Sequence, residues 1–558
     1  MTQCPNCGGG VRFDAATQFV VCDYCSSQFD PYDQNFGNMA EAQEDMEITV
    51  FTCRNCGGEI ASTQDTAAAF CSYCGSSTIL EGRLSKEKKP EMIIPFKLTK
   101  EGCKDAFSSR LKRAIFAPTS YKKTAKADGF RGIYMPYWVY DMTQKGRMLV
   151  KSSSSHRSGD YIITDHYDLT GYIDNEYAGV SYDASSSFAD DISEQIAPFN
   201  VKDIKYFTPS FLAGFYADIA DVGPEVYKDT AVDLAKESTY NYLRKSSPMA
   251  GNSFEDSKDT VKKRIKTDVN AKHSAMFPVW FMSYRTKDRV AYATVNGQTG
   301  RVSADIPVSV PKYFAFSLAL AAVLFGIFQL FLTLTPDFLM VSIAIVALVG
   351  AFMYNSEMKK ILAKENYEDD LGMQDLFERR KKARVEAQDG ASFDGVGSET
   401  YVLTQNDIKK NEQKAKKKEG KVIETLGGIA MVVFIMLFTF ADDVFSVFSG
   451  INADKICGFV GLITFVISIF LTVSSQKKVS QMKAGKKLTG TLWTAIALFI
   501  ITVVSFLDPP EDYIYYVCSM VAMAGVVVSI IDMMSSYNYI AMRPLPQFDT
   551  HTGGDDRA

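Results

Sequence analysis

Six long apolar runs constrain this chain more than any other feature: 313–334, 337–354, 422–440, 456–474, 489–507 and 513–534. A helix of about twenty residues rises roughly 30 Å, the thickness of a bilayer core. The sequence therefore predicts an all-α transmembrane region of six helices, which excludes a purely soluble enzyme. The averages over 558 residues, 47% hydrophobic and 22% charged, conceal this because residues 1–312 read as soluble. A disordered chain is excluded by the same apolar content. The N-terminus shows a cysteine knuckle and no signal-peptide pattern.

Orientation follows from the loops. The connections at 335–336, 441–454 and 508–512 contain no Lys or Arg, whereas 355–421 and 475–488 contain fifteen and five. The positive-inside rule then predicts a multi-pass protein of the cell (plasma) membrane with cytosolic N- and C-termini. Glu424 and Asp532 fall near expected cytosolic ends, and no charge pair is evident at the bilayer midplane. Transport, which usually needs such groups, becomes a minor reading.

Eight of the eleven cysteines crowd into residues 4–74. Cys4 and Cys7 precede Cys22 and Cys25; Cys53 and Cys56 precede Cys71 and Cys74. The second set lies 49 positions after the first, and Asn6/Asn55, Gly8/Gly57, Gly9/Gly58 and Tyr24/Tyr73 repeat with it, marking an internal duplication. Two residues between cysteines let one knuckle aim both thiolates at one ion, and two knuckles close a tetrahedral site of four sulfurs. The expectation is two structural zinc ions, with four cysteines each and no open position for catalysis. Metal binding would supply most of each ribbon's folding free energy, on the order of 10–16 kcal/mol. Redox pairs or disulfides are the competing reading.

Charge separates the roles open to such ribbons. Residues 1–80 hold Arg12 and Arg54 against ten acidic residues, a balance of 2 − 10 = −8. Phosphate binding depends on clustered Lys and Arg, so nucleic acid is a poor partner. A docking module for a basic protein surface is the better reading, and a structural cap on the next domain is the alternative. Residues 81–131 are instead basic, with fourteen cationic and six acidic side chains. They suit an anionic lipid surface, a dock for the ribbons, or ordinary solvated structure.

The sequence divides into a zinc ribbon at 1–35, a linker at 36–50, a second ribbon at 51–80 and a cytosolic α+β domain at 81–312. A transmembrane hairpin at 313–354, a charged cytosolic helical segment at 355–421, four transmembrane helices at 422–534 and a cytosolic tail at 535–558 follow. Within the α+β region, Met92–Phe96, Gly132–Tyr140 and Pro278–Tyr284 read as strands, with further β segments at 145–152 and 160–182; 101–117 reads as an amphipathic helix, 187–196 and 224–245 favour helix, and Ala291–Ser303 reads as a glycine-turned hairpin. Trp138 and Trp280 read as core anchors. The four histidines, His156, His166, His273 and His551, are scattered. No HExxH, GxSxG or phosphate-binding loop occurs, so no catalytic residue is assigned and the chain does not read as an enzyme. Residues 356–387 read as an exposed helix offering Ile361, Leu362, Leu371, Leu376 and Phe377 to a partner or the membrane surface.

The order of doubled ribbon, Ile-Ile-Pro-Phe-Lys strand (93–97), Gly132–Asp141 segment, Phe-Pro-Val-Trp strand (277–280) and Val295–Gly300 hairpin resembles one bacterial family. These are the multi-pass proteins labelled TFIIB-type (double) zinc ribbon-containing, sometimes given a helicase name that nothing here supports. The resemblance implies company with stomatin/flotillin-type scaffolds and phage-shock proteins in envelope stress or membrane maintenance. It implies a membrane-anchored adaptor that recruits cytosolic or peripheral membrane proteins to the inner face. An enzyme or transporter with an unrecognised site, and a membrane-tethered nucleic-acid binder, are the rival classes.

Overall fold

The computed structural model describes residues 4–33, 45–53, 59–62, 81–124, 129–186, 188–246, 253–286, 289–328, 336–366, 368, 370–379, 453–480, 489–507, 509–541 and 543–544. It divides into two compact units. One contains residues 1–306, 369–384 and 542–558; the other contains 307–368 and 385–541.

The first unit opens with a three-stranded antiparallel ribbon, β1 (Val11–Phe13), β2 (Val20–Cys22) and β3 (Gln28–Phe29). The rest is organised by one large sheet. Its strands are β4 (Asp45–Thr52), β5 (Glu59–Ser62), β6 (Glu81–Lys88), β7 (Met92–Ile93), β8 (Arg131–Ser158), β9 (Tyr161–Asp183), β10 (Lys205–Tyr206), β11 (Tyr216–Ala217), β12 (Ser253–Phe254), β13 (Asp268–Thr286), β14 (Arg289–Asn296) and β15 (Val302–Ala304). The short β16 (Arg543–Pro544) completes it beside β14.

Two prolines in central strands have a structural reason. Proline lacks the N–H a ladder needs, so it belongs where pairing is interrupted. On one side β8 is bonded to β11 at Ile133–Tyr134 and then to β9 from Tyr137 onward, and Pro136 sits at that exchange. On β13, β7 is the neighbour at Ala275–Met276 and β14 from Val279 onward, with Pro278 between them. Each proline still accepts through its carbonyl, Pro136 from Ala184 and Pro278 from Gly297, both at 2.8 Å. The echo between Pro136-Tyr-Trp and Pro278-Val-Trp is thus one device used on two adjacent antiparallel strands.

Strand alternation divides the core into two layers. Tyr134 and Trp280 enter one, with Phe96, Phe107 and Phe211; Ile133, Met135, Val279 and Phe281 enter the other, with Ile94 and Phe277. Phe96 stacks on Phe215 at 4.3 Å and meets Tyr134 and Trp280 edge-on. The glycines of the motifs make room for these rings. A Cβ at Gly132 would lie 2.4 Å from Phe215, and one at Gly297 would lie 2.6 Å from Phe96. Both indoles anchor as expected: Trp280 Nε1 donates to the Leu98 carbonyl at 2.9 Å and Trp138 Nε1 to that of Val222 at 2.7 Å.

Helices cover the sheet. In α1 (Lys100–Arg113) the Thr99 side chain caps the Gly102 amide, while Cys103, Phe107 and Leu111 form the buried stripe. The helix ends four residues before the expected Ala117, where a turn precedes Pro118. After α2 (Thr119–Thr124) come α3 (Asp190–Ile196), α4 (Lys228–Lys245) and α5 (Lys258–Arg264). A further helical stretch at 371–379 belongs to this unit.

The second unit contains α6 (Val310–Phe328), α7 (Pro336–Glu365), α8 (Ala453–Ser480), α9 (Gly490–Leu507) and α10 (Asp512–Ala541). Among the described residues, four helices are long and apolar enough to cross a bilayer, at Leu339–Lys364, Val460–Val479, Gly490–Leu507 and Asp512–Tyr539. Four of the six expected spans are thus present as helices of spanning length among the described residues. The first run forms a shorter apolar helix, Val310–Leu324, spanning about 22 Å. The run at 422–440 lies outside the described residues. Small residues bring the helices close: a Cβ on Gly490 would lie 2.9 Å from Ser529 Cα, and one on Gly525 2.8 Å from the Trp493 carbonyl. Ala344, Ala347, Leu498, Ile501 and Ala522 fill the interior, while Phe470, Leu507 and Met520 face outward.

Candidate metal centre

Cys4, Cys7, Cys22 and Cys25 bring their sulfurs within 4.8 Å of one another. Two backbone knuckles place them. In the first, the Gly8 amide donates to the Cys4 carbonyl at 2.8 Å and Gly8 adopts φ +72°. In the second, the Ser26 amide donates to the Cys22 carbonyl at 3.0 Å and Ser26 takes φ +57°. The left-handed conformation that glycine adopts freely is therefore imposed on a serine in the second knuckle.

The sulfurs do not form disulfides. The Cys4–Cys25 and Cys7–Cys22 Sγ distances are both 3.5 Å, far beyond the roughly 2.0 Å of an S–S bond. A tetrahedron with metal–sulfur bonds of about 2.3 Å has edges of about 3.8 Å, so the donor set fits a soft divalent ion. The Ser27 hydroxyl holds the Cys25 thiol down to about 6. The Gly9 amide lowers Cys7, yet the sulfurs of Cys25 and Cys22 outweigh it and push Cys7 up to about 12. The crowded sulfurs thus keep a proton on Cys7, and holding all four as thiolates would take a cation between them.

The ribbon is not a detached module. Cys4, Val11, Phe13, Ala15, Val20 and Cys22 belong to the same buried cluster as Phe96, Phe211 and Leu212. The Phe13 amide donates to the Ala213 carbonyl at 2.9 Å, Gln18 Nε2 to that of Phe96 at 2.7 Å, and the Tyr32 hydroxyl to that of Tyr206 at 2.9 Å. Burial of each large side chain contributes roughly 1.5–3 kcal/mol. Cys7, Cys25 and Tyr24 remain exposed on the opposite side. Of the second cysteine set, Cys53 is buried at the end of β4 beside Phe51 and Ile94. Cys56, Cys71 and Cys74 lie outside the described residues, so one four-cysteine group is assembled among those described.

A second polar constellation escaped sequence reading. Asp183, at the end of β9, is 2% exposed, and its Oδ2 finds no hydrogen-bond donor among the described residues. Burial first, and then the nearby Asp190 carboxylate, raise Asp183 well above the ordinary range. Asp190 accepts from the Tyr227 hydroxyl at 2.6 Å and from the Leu371 amide at 2.8 Å. Asp370 caps the stretch at 371–379 by accepting from the Met373 amide at 2.8 Å. Leu371 packs against the cluster of Tyr140, Met142 and Tyr227, and Ile361 is buried with Tyr354 and Met358. These two residues are used internally, contrary to the expectation that they were available to a partner. Local signals do not distinguish Asp183 from an ordinary strand-end aspartate, because its surroundings come from three distant segments.

The histidines do not converge among the described residues. His166 bonds Glu255 on the exposed β8–β9 hairpin, His156 lies 3.8 Å from Asp165, and His273 meets Glu91 at 2.6 Å. In the helical unit, the Asp532 carboxylate accepts from the Tyr354 hydroxyl at 2.6 Å and the Gly490 amide at 3.0 Å. It therefore caps α9 from a neighbouring helix.

No family model matches the chain, and no solved structure matches it. A protein of Bacillus subtilis (strain 168), "Uncharacterized protein YdjG", is 32% identical over 328 residues, covering 57% of this chain and 93% of that protein.

Proposed function

From the premise that the chain belongs to the same family as the uncharacterized protein YdjG of Bacillus subtilis, we propose that it is a membrane-anchored scaffold. In this reading its metal-stapled ribbons recruit cytosolic or peripheral proteins to the inner face of the membrane. The observation that carries it is the two-sided first ribbon. Cys4 and Cys22 are buried against the sheet, while Cys7, Cys25 and Tyr24, the last 81% exposed, form an outward rim. A rigid rim on a firmly held base is a good docking surface. The acidic balance of residues 1–80 favours a basic protein partner over nucleic acid. Zinc is the proposed ion at both cysteine sets. The TFIIB-type likeness and a stomatin/flotillin-type or phage-shock-type partner belong to this proposal, as does a role in envelope stress.

Chain connectivity supports a cytosolic placement of both termini. The chain leaves the soluble unit at 306 and rejoins it at 369 after two apolar helices, then leaves again and rejoins at 542. Each excursion must cross the bilayer an even number of times if the soluble unit lies on one side. The helices α8, α9 and α10 supply three crossings, so a further one is needed between 385 and 452. The apolar run at 422–440 suits it.

Cross-linked affinity purification from membranes tests the proposal. The intact chain is compared with Tyr24→Ala and with a Cys7→Ser/Cys25→Ser chain at matched expression. A specific partner lost in both variants is expected. A partner set unchanged in both variants makes the ribbon a structural staple and overturns the docking role.

A further inference from the structure

We infer that the outer edge of β9 pairs with the same edge of a second copy of this chain, antiparallel and centred on Tyr167. The hairpin of β8 and β9 turns through Gly159 (φ +62°) and Asp160, with Ser158 opposite Tyr161. Glycine with positive φ at the first turn position marks a two-residue hairpin turn, whose flanking pair is hydrogen-bonded. Bonded pairs then recur at every second residue, so Tyr161, Ile163, Asp165 and Tyr167 bond inward to β8. The even-numbered residues from Ile162 to Tyr172 present their N–H and C=O groups outward. Among the described residues β9 pairs with no strand except β8. Residues 161–168 are all exposed; Tyr161, Ile162 and Tyr172 are 78%, 76% and 66% exposed.

A bare edge of this length usually carries features that discourage pairing. Here the sequence instead complements itself. Outward groups must face outward groups, so a symmetric antiparallel register has to centre on a residue and not between two. Centred on Tyr167, His166 faces the copy's Asp168, Thr164 faces Thr170, Ile162 faces Tyr172 and Tyr161 faces Ile173. Between Tyr161 and Ile173 no acid faces an acid. Thr–Thr pairs and aromatic–β-branched pairs are favourable cross-strand combinations. A centre at Asp165 or Asp168 would set aspartate against aspartate. The pairing is isologous and closes as a two-fold dimer.

Cysteine cross-linking of the full chain in native membranes reads the register. The centre is a non-hydrogen-bonded pair with Cα atoms about 4.5 Å apart, within disulfide reach. Tyr167→Cys is expected to give a covalent dimer under mild oxidation. Thr164→Cys alone should not, because its two copies would lie about 20 Å apart along the strands. Adding Thr170→Cys to Thr164→Cys should restore the dimer. The unsubstituted chain is the control for the native cysteines. Thr164→Pro removes an outward N–H and leaves the bonds to β8 intact, so in detergent it should shift the chain from dimer to monomer mass. Failure of Tyr167→Cys to cross-link overturns the inference, as does equal cross-linking by Thr164→Cys alone. Protection of residue 167 by lipid, or by a different protein, without a dimer overturns it as well.

Discussion

At the scale of single residues, the duplication exposes a local strain. Ser26 holds φ +57° where the second ribbon, 49 positions on, has Gly75. Ser26→Gly is expected to stabilise the chain by about 0.5–1 kcal/mol, measurable as a rise in thermal unfolding midpoint. Gly132→Ala has the opposite sign, since its Cβ would collide with the Phe215 ring; a loss of about 1–3 kcal/mol is expected in the same measurement. Asp183 adds a pH dependence. Its folded-state pKa is raised, so its contribution is fully present below the unfolded value near 4 and is lost as pH rises through the folded value. Stability of the soluble unit should fall with rising pH in that window, by up to about 1.4 kcal/mol per pH unit. Asp183→Asn should flatten the slope, and denaturant titrations at several pH values measure it. The first four-cysteine group and the Trp anchors were legible because their chemistry is local. Asp183 was not, because its neighbours Asp190 and Asp370 meet it only through the fold.

At the scale of elements, composition and periodicity located the strands around Pro136 and Pro278 but not their full length. The β segments expected at 145–152 and 160–182 are present as the distal part of β8 and as β9, although alternation in β9 is blurred because residues 161–168 are exposed on both faces. The break between α7 and the stretch at 371–379 was also missed. Asp370 acts there as an N-cap within a charged segment that looks continuous. The ribbon carries the sharpest prediction at this scale. Its Val11, Phe13 and Val20 are part of the layer that holds Phe96 and Trp280. Removing metal with a strong chelator should therefore loosen that layer as well as β1–β3. In a chain retaining Trp280 as its sole tryptophan, emission should shift to longer wavelength. An unchanged emission after complete metal loss would show that the layer stands without the ribbon.

At the scale of the whole molecule, the apolar runs declared a membrane protein, and four of the six expected spans are helices of sufficient length among the described residues. Hydropathy alone did not foresee that the chain rejoins the soluble unit twice, through 369–384 and 542–558. Topology reporters placed at 375 and after 544 should both read cytosolic, and one at 510 should read external. The central claim is that a metal ion staples the first ribbon onto this soluble unit. X-ray absorption on the purified full-length protein tests it most directly. Zinc bound by four sulfurs at about 2.3 Å is expected, with at least one ion per chain. A folded chain without metal, or with its Cys4–Cys25 cysteines oxidised to disulfides, would contradict it.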